Sequence, residues 1–211
     1  VQPVLYYVHD PMCSWCWAFE GARSELFRQL PSEFPVRRLL GGLAADTDEP
    51  MPEAMVNHVK ANWRAIEARV PGVRFNDDFW TSCRPRRSTW PACRAVIAAR
   101  EQGAKYDEIM TRAIQQAYYR QARNPSENAT LTELAADIGL DSQRFSQILA
   151  APSTQETLLG EIHTTRQLNM RSFPGLTLQT ASGLHPVPVD YGAAAPMVEK
   201  ILKHLETERQ S

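Results

Sequence analysis

Asp10-Pro11-Met12-Cys13-Ser14-Trp15-Cys16-Trp17 is the stretch on which the reading of this 211-residue chain turns. Before it, Val4-Leu5-Tyr6-Tyr7-Val8 is a β-branched and aromatic run of strand length, and His9-Asp10-Pro11 breaks that run. After it, apolar residues recur at helical spacing through Leu26, Phe27 and Leu30, so one helix is expected from Ser14 to about Leu30. Cys13 then stands at a helix start, where unpaired N–H groups and the helix dipole favour a thiolate. Neither Ser14 nor Trp15 is cationic, so no positive charge within the motif adds to that effect. Cys16 lies one turn further on, within reach of a mixed disulfide formed on Cys13. The two sulfurs read as a nucleophile with its own resolving thiol.

Two plainer readings compete. A Cys-x-x-Cys can be half of a zinc site, but zinc takes about four ligands. The other two cysteines, Cys83 and Cys93, are not so spaced, and the five histidines (His9, His58, His163, His185, His204) show no ligand spacing. No metal is expected. The alternative is an incidental pair of buried thiols, which the strand-to-helix setting disfavours.

The length allows one domain carrying a large insertion. A net charge of −1 and a pI near 6.6 argue against a nucleic-acid or anionic-membrane surface. No apolar stretch approaches the ~20 residues that span a bilayer. Val1-Gln2-Pro3 leads straight into the first strand with no signal-like segment, so a cytoplasmic location is expected.

Val36-Arg37-Arg38-Leu39-Leu40 reads as a second strand closed by Gly41-Gly42, which makes a βαβ opening with a parallel pair. Thr47 to Pro52 is a linker by composition. Helices are then expected over Glu53–Arg69, Pro91–Gln102, Tyr106–Arg120, Leu131–Ile138, Ser142–Leu149 and Thr154–Leu168. Asp48, Thr130 and Asp141 are candidate caps, and Pro91 is placed at a first helical position. The hairpin over Leu131–Leu149 reads as part of a bundle rather than a DNA reader, because no basic recognition helix follows. Strands return at Leu176–Gln179 and His185–Val189, the later one at a sheet edge because of its two prolines. Ala193–Glu206 closes the chain as a helix. The fold class is therefore α/β, with residues 1–46 and 170–211 forming one domain and 47–169 an inserted helical one.

Pro174, in Phe173-Pro174-Gly175 just before the returning strands, is a candidate for a cis bond near the sulfurs. Ser14, Trp15 and Phe173 are candidate substrate contacts, whereas Trp17 reads as packing. Cys83 and Cys93 are either buried free thiols or a second redox pair. Arg84, Arg86 and Arg87 form a small basic run that could meet a carboxylate such as glutathione's, although such a run is more often solvated surface, and that plainer reading is preferred. Asp10 and His9 are near enough in sequence to Cys13 to assist proton transfer.

From Asp10 to Trp17 the chain resembles the DsbA-type branch of the thioredoxin superfamily, and within it the cytoplasmic FrnE-like group. Trp90-Pro91-Ala92-Cys93-Arg94-Ala95 resembles the start of an inserted-domain helix in those proteins, and Phe173-Pro174 stands at the place of their cis-proline. The resemblance implies a thioredoxin-like fold with a large helical insertion, Cys13 as attacking thiol, Cys16 as resolving thiol and Pro174 facing them. It implies a thiol-disulfide oxidoreductase that needs no organic cofactor. Its partners would be disulfide- or thiol-containing proteins or peptides, with glutathione a further candidate. Two other readings stay open: a glutathione-dependent isomerase or transferase of the kappa-like group, whose members usually lack the second cysteine, and a non-catalytic binding protein that keeps the fold.

Overall fold

β1 (Val4–His9) is the strand on which the sheet is assembled. In the computed structural model, which describes residues 2–210, it pairs in parallel with β2 (Val36–Leu40), Leu5 facing Val36 and His9 facing Leu40. On its other side it pairs antiparallel with β3 (Gly175–Thr180), which pairs antiparallel with β4 (Gly183–Val187). The order β2-β1-β3-β4 makes a mixed, thioredoxin-like sheet with β4 at an edge. β1 is apolar or aromatic from Val4 to Val8 because both of its faces are covered. Leu5 and Tyr7 point to a cluster with Leu26, Leu178, Met197 and Ile201, while Tyr6 and Val8 point to Leu168 and Met170 on the opposite face. That is the period-two alternation of a strand.

The helix after the two sulfurs is not continuous. It forms α1 (Ser14–Ala18) and α2 (Glu20–Gln29), joined at the fully buried Phe19. α2 and the last helix, described below, cover the same face of the sheet.

Between β2 and β3 the chain is helical: α3 (Glu53–Arg69), α4 (Phe79–Ser82), α5 (Trp90–Arg100), α6 (Tyr106–Arg120), α7 (Asn128–Asp137), α8 (Ser142–Ala150) and α9 (Pro152–Gln167). The chain ends in α10 (Ala195–Gln210). α5 is the axis of this helical body: of Pro91–Ala99 every residue but Arg94 is buried. A helix apolar on nearly all sides belongs in a core, and its alanines let α6, α7, α8 and α9 close around it. Leu134, Phe145 and Leu149 of the α7–α8 hairpin are buried in this cluster, so the hairpin is part of the bundle.

Several element starts differ from the expectation. α7 begins at Asn128 with Glu127 as N-cap, not after Thr130, and Pro52 rather than Asp48 precedes α3. Asp141 does cap α8, its carboxylate accepting from Arg144 N at 2.9 Å. β4 stops at Val187, and α10 starts two residues late and runs further than expected. The four-residue α4 has too short a pattern to be read as a helix from sequence.

Sheet and helical body are joined by a closed ring of polar contacts. Arg38 Nε of β2 donates to Asp107 Oδ1 of α6 at 2.6 Å, Arg100 Nε of α5 donates to Asp107 Oδ2 at 2.8 Å, and Arg100 Nη1 donates to Glu161 Oε1 of α9 at 2.6 Å. Glu161 Oε2 then accepts from Leu40 N, back in β2, at 2.7 Å. Asp107 is buried between the two guanidiniums. Removing one partner of such a group leaves the others desolvated without compensation. Asp107→Asn is expected to destabilise the protein by about 3 kcal/mol in urea unfolding, with far-UV circular dichroism checking that the variant still folds.

Candidate functional site

β1 leaves the sheet at His9, and the chain turns so that Asp10 O accepts from Cys13 N at 3.0 Å. Cys13 is the N-cap of α1, and its carbonyl accepts from Trp17 N at 3.1 Å. Both Cys13 and Cys16 are free thiols; Cys13 is 7% exposed and Cys16 1%. Burial, then the hydrogen bond with Cys13 and the charge of Cys13, push the Cys16 thiol well above its ordinary range. Cys16 therefore keeps its proton beside its neighbour's sulfur.

The segment before β3 comes back to the same point. The Phe173–Pro174 peptide is cis, and the Cys13 thiol donates to Phe173 O at 3.5 Å. The Phe173 ring lies against Gly41, where any Cβ would collide with it. Gly41 is thus required for space, and its N–H donates to His9 O at 2.8 Å.

Beside the sulfurs runs a cleft of about 480 Å³, lined by Trp15, Phe173, Pro174 and Tyr191 among others. Trp15 is half-buried and tilts against Tyr191, ring centroids 5.0 Å apart. Ser14 is half-buried next to it. Trp17 stacks on Tyr119 at 5.7 Å as part of the helical core. The structure thus brings Cys13 against Phe173, 160 residues further along the chain, beside an opening lined by Trp15, Phe173 and Pro174.

Asp10 is fully buried. Oδ1 accepts from Met12 N at 2.8 Å, and Oδ2 from Leu43 N at 2.7 Å, Thr89 Oγ1 at 2.7 Å and Cys93 Sγ at 3.5 Å. Burial raises its pKa, and the bonds from Thr89, Leu43, Met12 and Cys93 pull the other way. Two backbone N–H groups and two side chains thus meet on this carboxylate and hold the loop ahead of Cys13. His9 stacks face to face on Tyr7 at 4.9 Å, with its Nε2 3.5 Å from Arg38 Nη2. Burial first, then Arg38, Arg23 and Arg100, lower its pKa well below the ordinary value.

Cys83 and Cys93 have separate partners. Cys93 is buried against Asp10, and the Cys83 thiol donates to Ala122 O at 3.1 Å. Burial is the first cause raising both thiols. Arg86 is held by Asp48 and Glu127 and by Ser126 O, away from the cleft. The cleft's guanidiniums are instead Arg69 and Arg171. Arg69 ends α3, and no pattern in the sequence tells which of that helix's residues meets the motif. Among the described residues, no group of three or more His, Cys, Asp or Glu is arranged to hold a metal ion, and no helix is long and apolar enough to cross a membrane.

Known proteins are similar to this chain in sequence and fold. A family model described as Thioredoxin matches residues 6–183. A crystal structure of a Nitrosomonas europaea protein, provisionally named a protein disulfide isomerase, superposes with a TM-score of 0.85 at 23% identity, covering 98% of this chain and 99% of that one. The cytosolic disulfide reductase DsbM from Pseudomonas aeruginosa superposes with a TM-score of 0.71 at 22% identity, covering 98% of each chain. DsbM is also known in a structure with GSH. A curated relative, the ClpXP adapter protein SpxH of Halalkalibacterium halodurans, is 24% identical over 182 residues, covering 81% of this chain. The aligned part spans only 56% of that relative's length.

Two variants test the geometry around the motif. Asp10→Ala removes the acceptor of four donors, on Met12, Leu43, Thr89 and Cys93, and is expected to cost about 3 kcal/mol in urea unfolding, with faster alkylation of Cys93 in the native protein. For His9, the folded pKa lies below the unfolded one, so the unfolded chain takes up the proton first as pH falls. Its stabilising contribution is complete above the unfolded pKa and is lost below it. Between pH 7.5 and 5.5 the protein is expected to lose about 1.4 kcal/mol more stability than His9→Phe does, measured by urea unfolding at both pH values.

Proposed function

Because this chain belongs to the DsbA-like branch of the thioredoxin family, we propose that it is a thiol-disulfide oxidoreductase using Cys13 and Cys16. The observation that carries the reading is the contact of the Cys13 thiol with the carbonyl before Pro174, at the mouth of a cleft, with Cys16 buried one turn behind. The Cys13 thiolate attacks one sulfur of a substrate disulfide. That S–S bond breaks, a mixed disulfide forms, and the first substrate thiolate leaves. Cys16 then gives up its proton and attacks the Cys13 sulfur, releasing the second substrate thiol and closing Cys13–Cys16. Two electrons pass to the substrate, and two thiols of a reductant restore the pair.

Cys13 is the attacking thiol on this reading because it is the more exposed of the two, while the raised pKa of Cys16 keeps it protonated until the mixed disulfide has formed. Trp15, Phe173 and Pro174 form the substrate wall, with Ser14 beside it. Substrates are disulfide- or thiol-bearing peptides, with glutathione a candidate reductant given the structure of DsbM with GSH. We place the protein in the cytoplasm, in keeping with the cytosolic DsbM. The direction of exchange follows from the pair's potential against that of its compartment.

A second reading has support from the curated relatives named as ClpXP adapters: a protein that keeps the fold and binds a partner without exchanging disulfides. One experiment separates the two. In glutathione redox buffers with thiol trapping, Cys13 and Cys16 are expected to behave as a reversible two-electron couple between about −270 and −120 mV. Cys16→Ser is expected to accumulate a mixed disulfide on Cys13. If no disulfide forms between these residues, the oxidoreductase reading fails and the adapter reading takes its place.

A further inference from the structure

We propose that Arg69, whose guanidinium lies over the rings of both Trp15 and Tyr191, is the specificity-determining residue of the cleft and selects small thiols or disulfides that carry carboxylates. This rests on the oxidoreductase reading for what the cleft is for, but not for what it binds.

Arg69 is the last residue of α3 and is exposed. Its guanidinium carbon lies 5.6 Å from the centroid of the Trp15 ring and 5.6 Å from that of Tyr191. Stacking on aromatic faces holds a guanidinium by its plane and leaves the edge N–H groups free. Those groups match a carboxylate's two oxygens in a forked pair. Trp15 stands between Cys13 and Cys16, so the guanidinium is tied to the motif itself.

The charges of the cleft point the same way. Arg23, Arg38, Arg86, Arg94, Arg100, Arg112 and Arg123 each pair with Asp or Glu. Among the described residues no carboxylate pairs with Arg69 or with Arg171, which also lines the cleft. The lining contains these two guanidiniums and neither Asp nor Glu. In a chain whose net charge is −1, an opening with two unpaired cations and no acid is a local excess of positive potential. At about 480 Å³ the cleft has the size of a small-molecule site rather than of a protein interface. The chemistry that fits is a tripeptide-sized thiol with a free carboxylate near its sulfur.

The test uses S-methylglutathione, whose thioether cannot exchange, and its diethyl ester, which lacks both carboxylates. Binding of each to the intact, reduced protein is measured by titration calorimetry for wild type, Arg69→Gln and Arg69→Lys. The acid is expected to bind wild type about fivefold or more tightly than the ester, and Arg69→Gln to weaken the acid about fivefold while leaving the ester unchanged. Arg69→Lys keeps the charge but not the planar fork, and is expected to restore only part of the preference. Raising the salt from 50 to 500 mM should narrow the difference. Equal binding of acid and ester, no binding of either, or an equal loss of both in Arg69→Gln overturns the proposal; the last result would make Arg69 a mere part of the Trp15–Tyr191 wall. Because no exchange occurs in this titration, a protein with no redox couple would still show the carboxylate preference, and a protein with a couple could still lack it.

Discussion

One buried carboxylate, that of Asp10, holds the motif in place. It receives the N–H of Met12 just ahead of Cys13, the N–H of Leu43 beyond β2, and the hydroxyl of Thr89 at the head of α5. Three separate segments are therefore tied at one point directly before the first sulfur. A buried anion without a cation is costly unless donors surround it, and here four do. The arrangement also explains why Cys93 sits where it does: a thiol is a small, weak donor that fills the last place around the carboxylate in an otherwise apolar helix. The neighbouring carbonyl of Asp10 receives Cys13 N, so the same residue orients the nucleophile through its backbone and anchors the loop through its side chain.

The ring through Arg38, Asp107, Arg100 and Glu161 does for the whole molecule what Asp10 does for the motif. It runs from the sheet through three helices and back to the sheet. Close to it, Met12 and Leu40 from the sheet side are buried in the same apolar cluster as α5. The helical body therefore packs on the sheet through both apolar and polar contacts, and the cleft's walls, drawn from α1, α3 and the segment before β3, have rigid supports on each side. A ring of this type contributes orientation more than net stability, since each ion has lost its water.

The fold was legible where local pattern and topology agree. The strand-to-helix passage around Cys13, the strand over Val36–Leu40, and the long helices from Glu53 and Tyr106 follow from periodicity and breakers alone. The kink at Phe19 did not, because Phe19 is apolar at a position that continues the helical pattern, and only its burial beneath Tyr7 and Tyr191 reveals the break. The start of α7 at Asn128 was missed since Thr130 is the better intrinsic cap, and tertiary packing overrode it. Of the site, the two sulfurs and the proline-bearing segment could be read from the chain. The ion pairs of Arg86 could not be read from the chain, because its acidic partners Asp48 and Glu127 lie far away in sequence. Arg69 and Tyr191 were invisible for the same reason: they meet Trp15 only through the folding of distant segments.

A small open sheet has two borders, and each is a place where another chain can add a strand. Here both are shut. On the β4 side, Pro186 within the strand and Pro188 just beyond it offer no N–H to an incoming backbone. On the β2 side, the carboxylate of Glu161 already holds Leu40 N, and α9 lies against the strand. Neither border therefore presents an uninterrupted row of free N–H groups to the backbone of another chain.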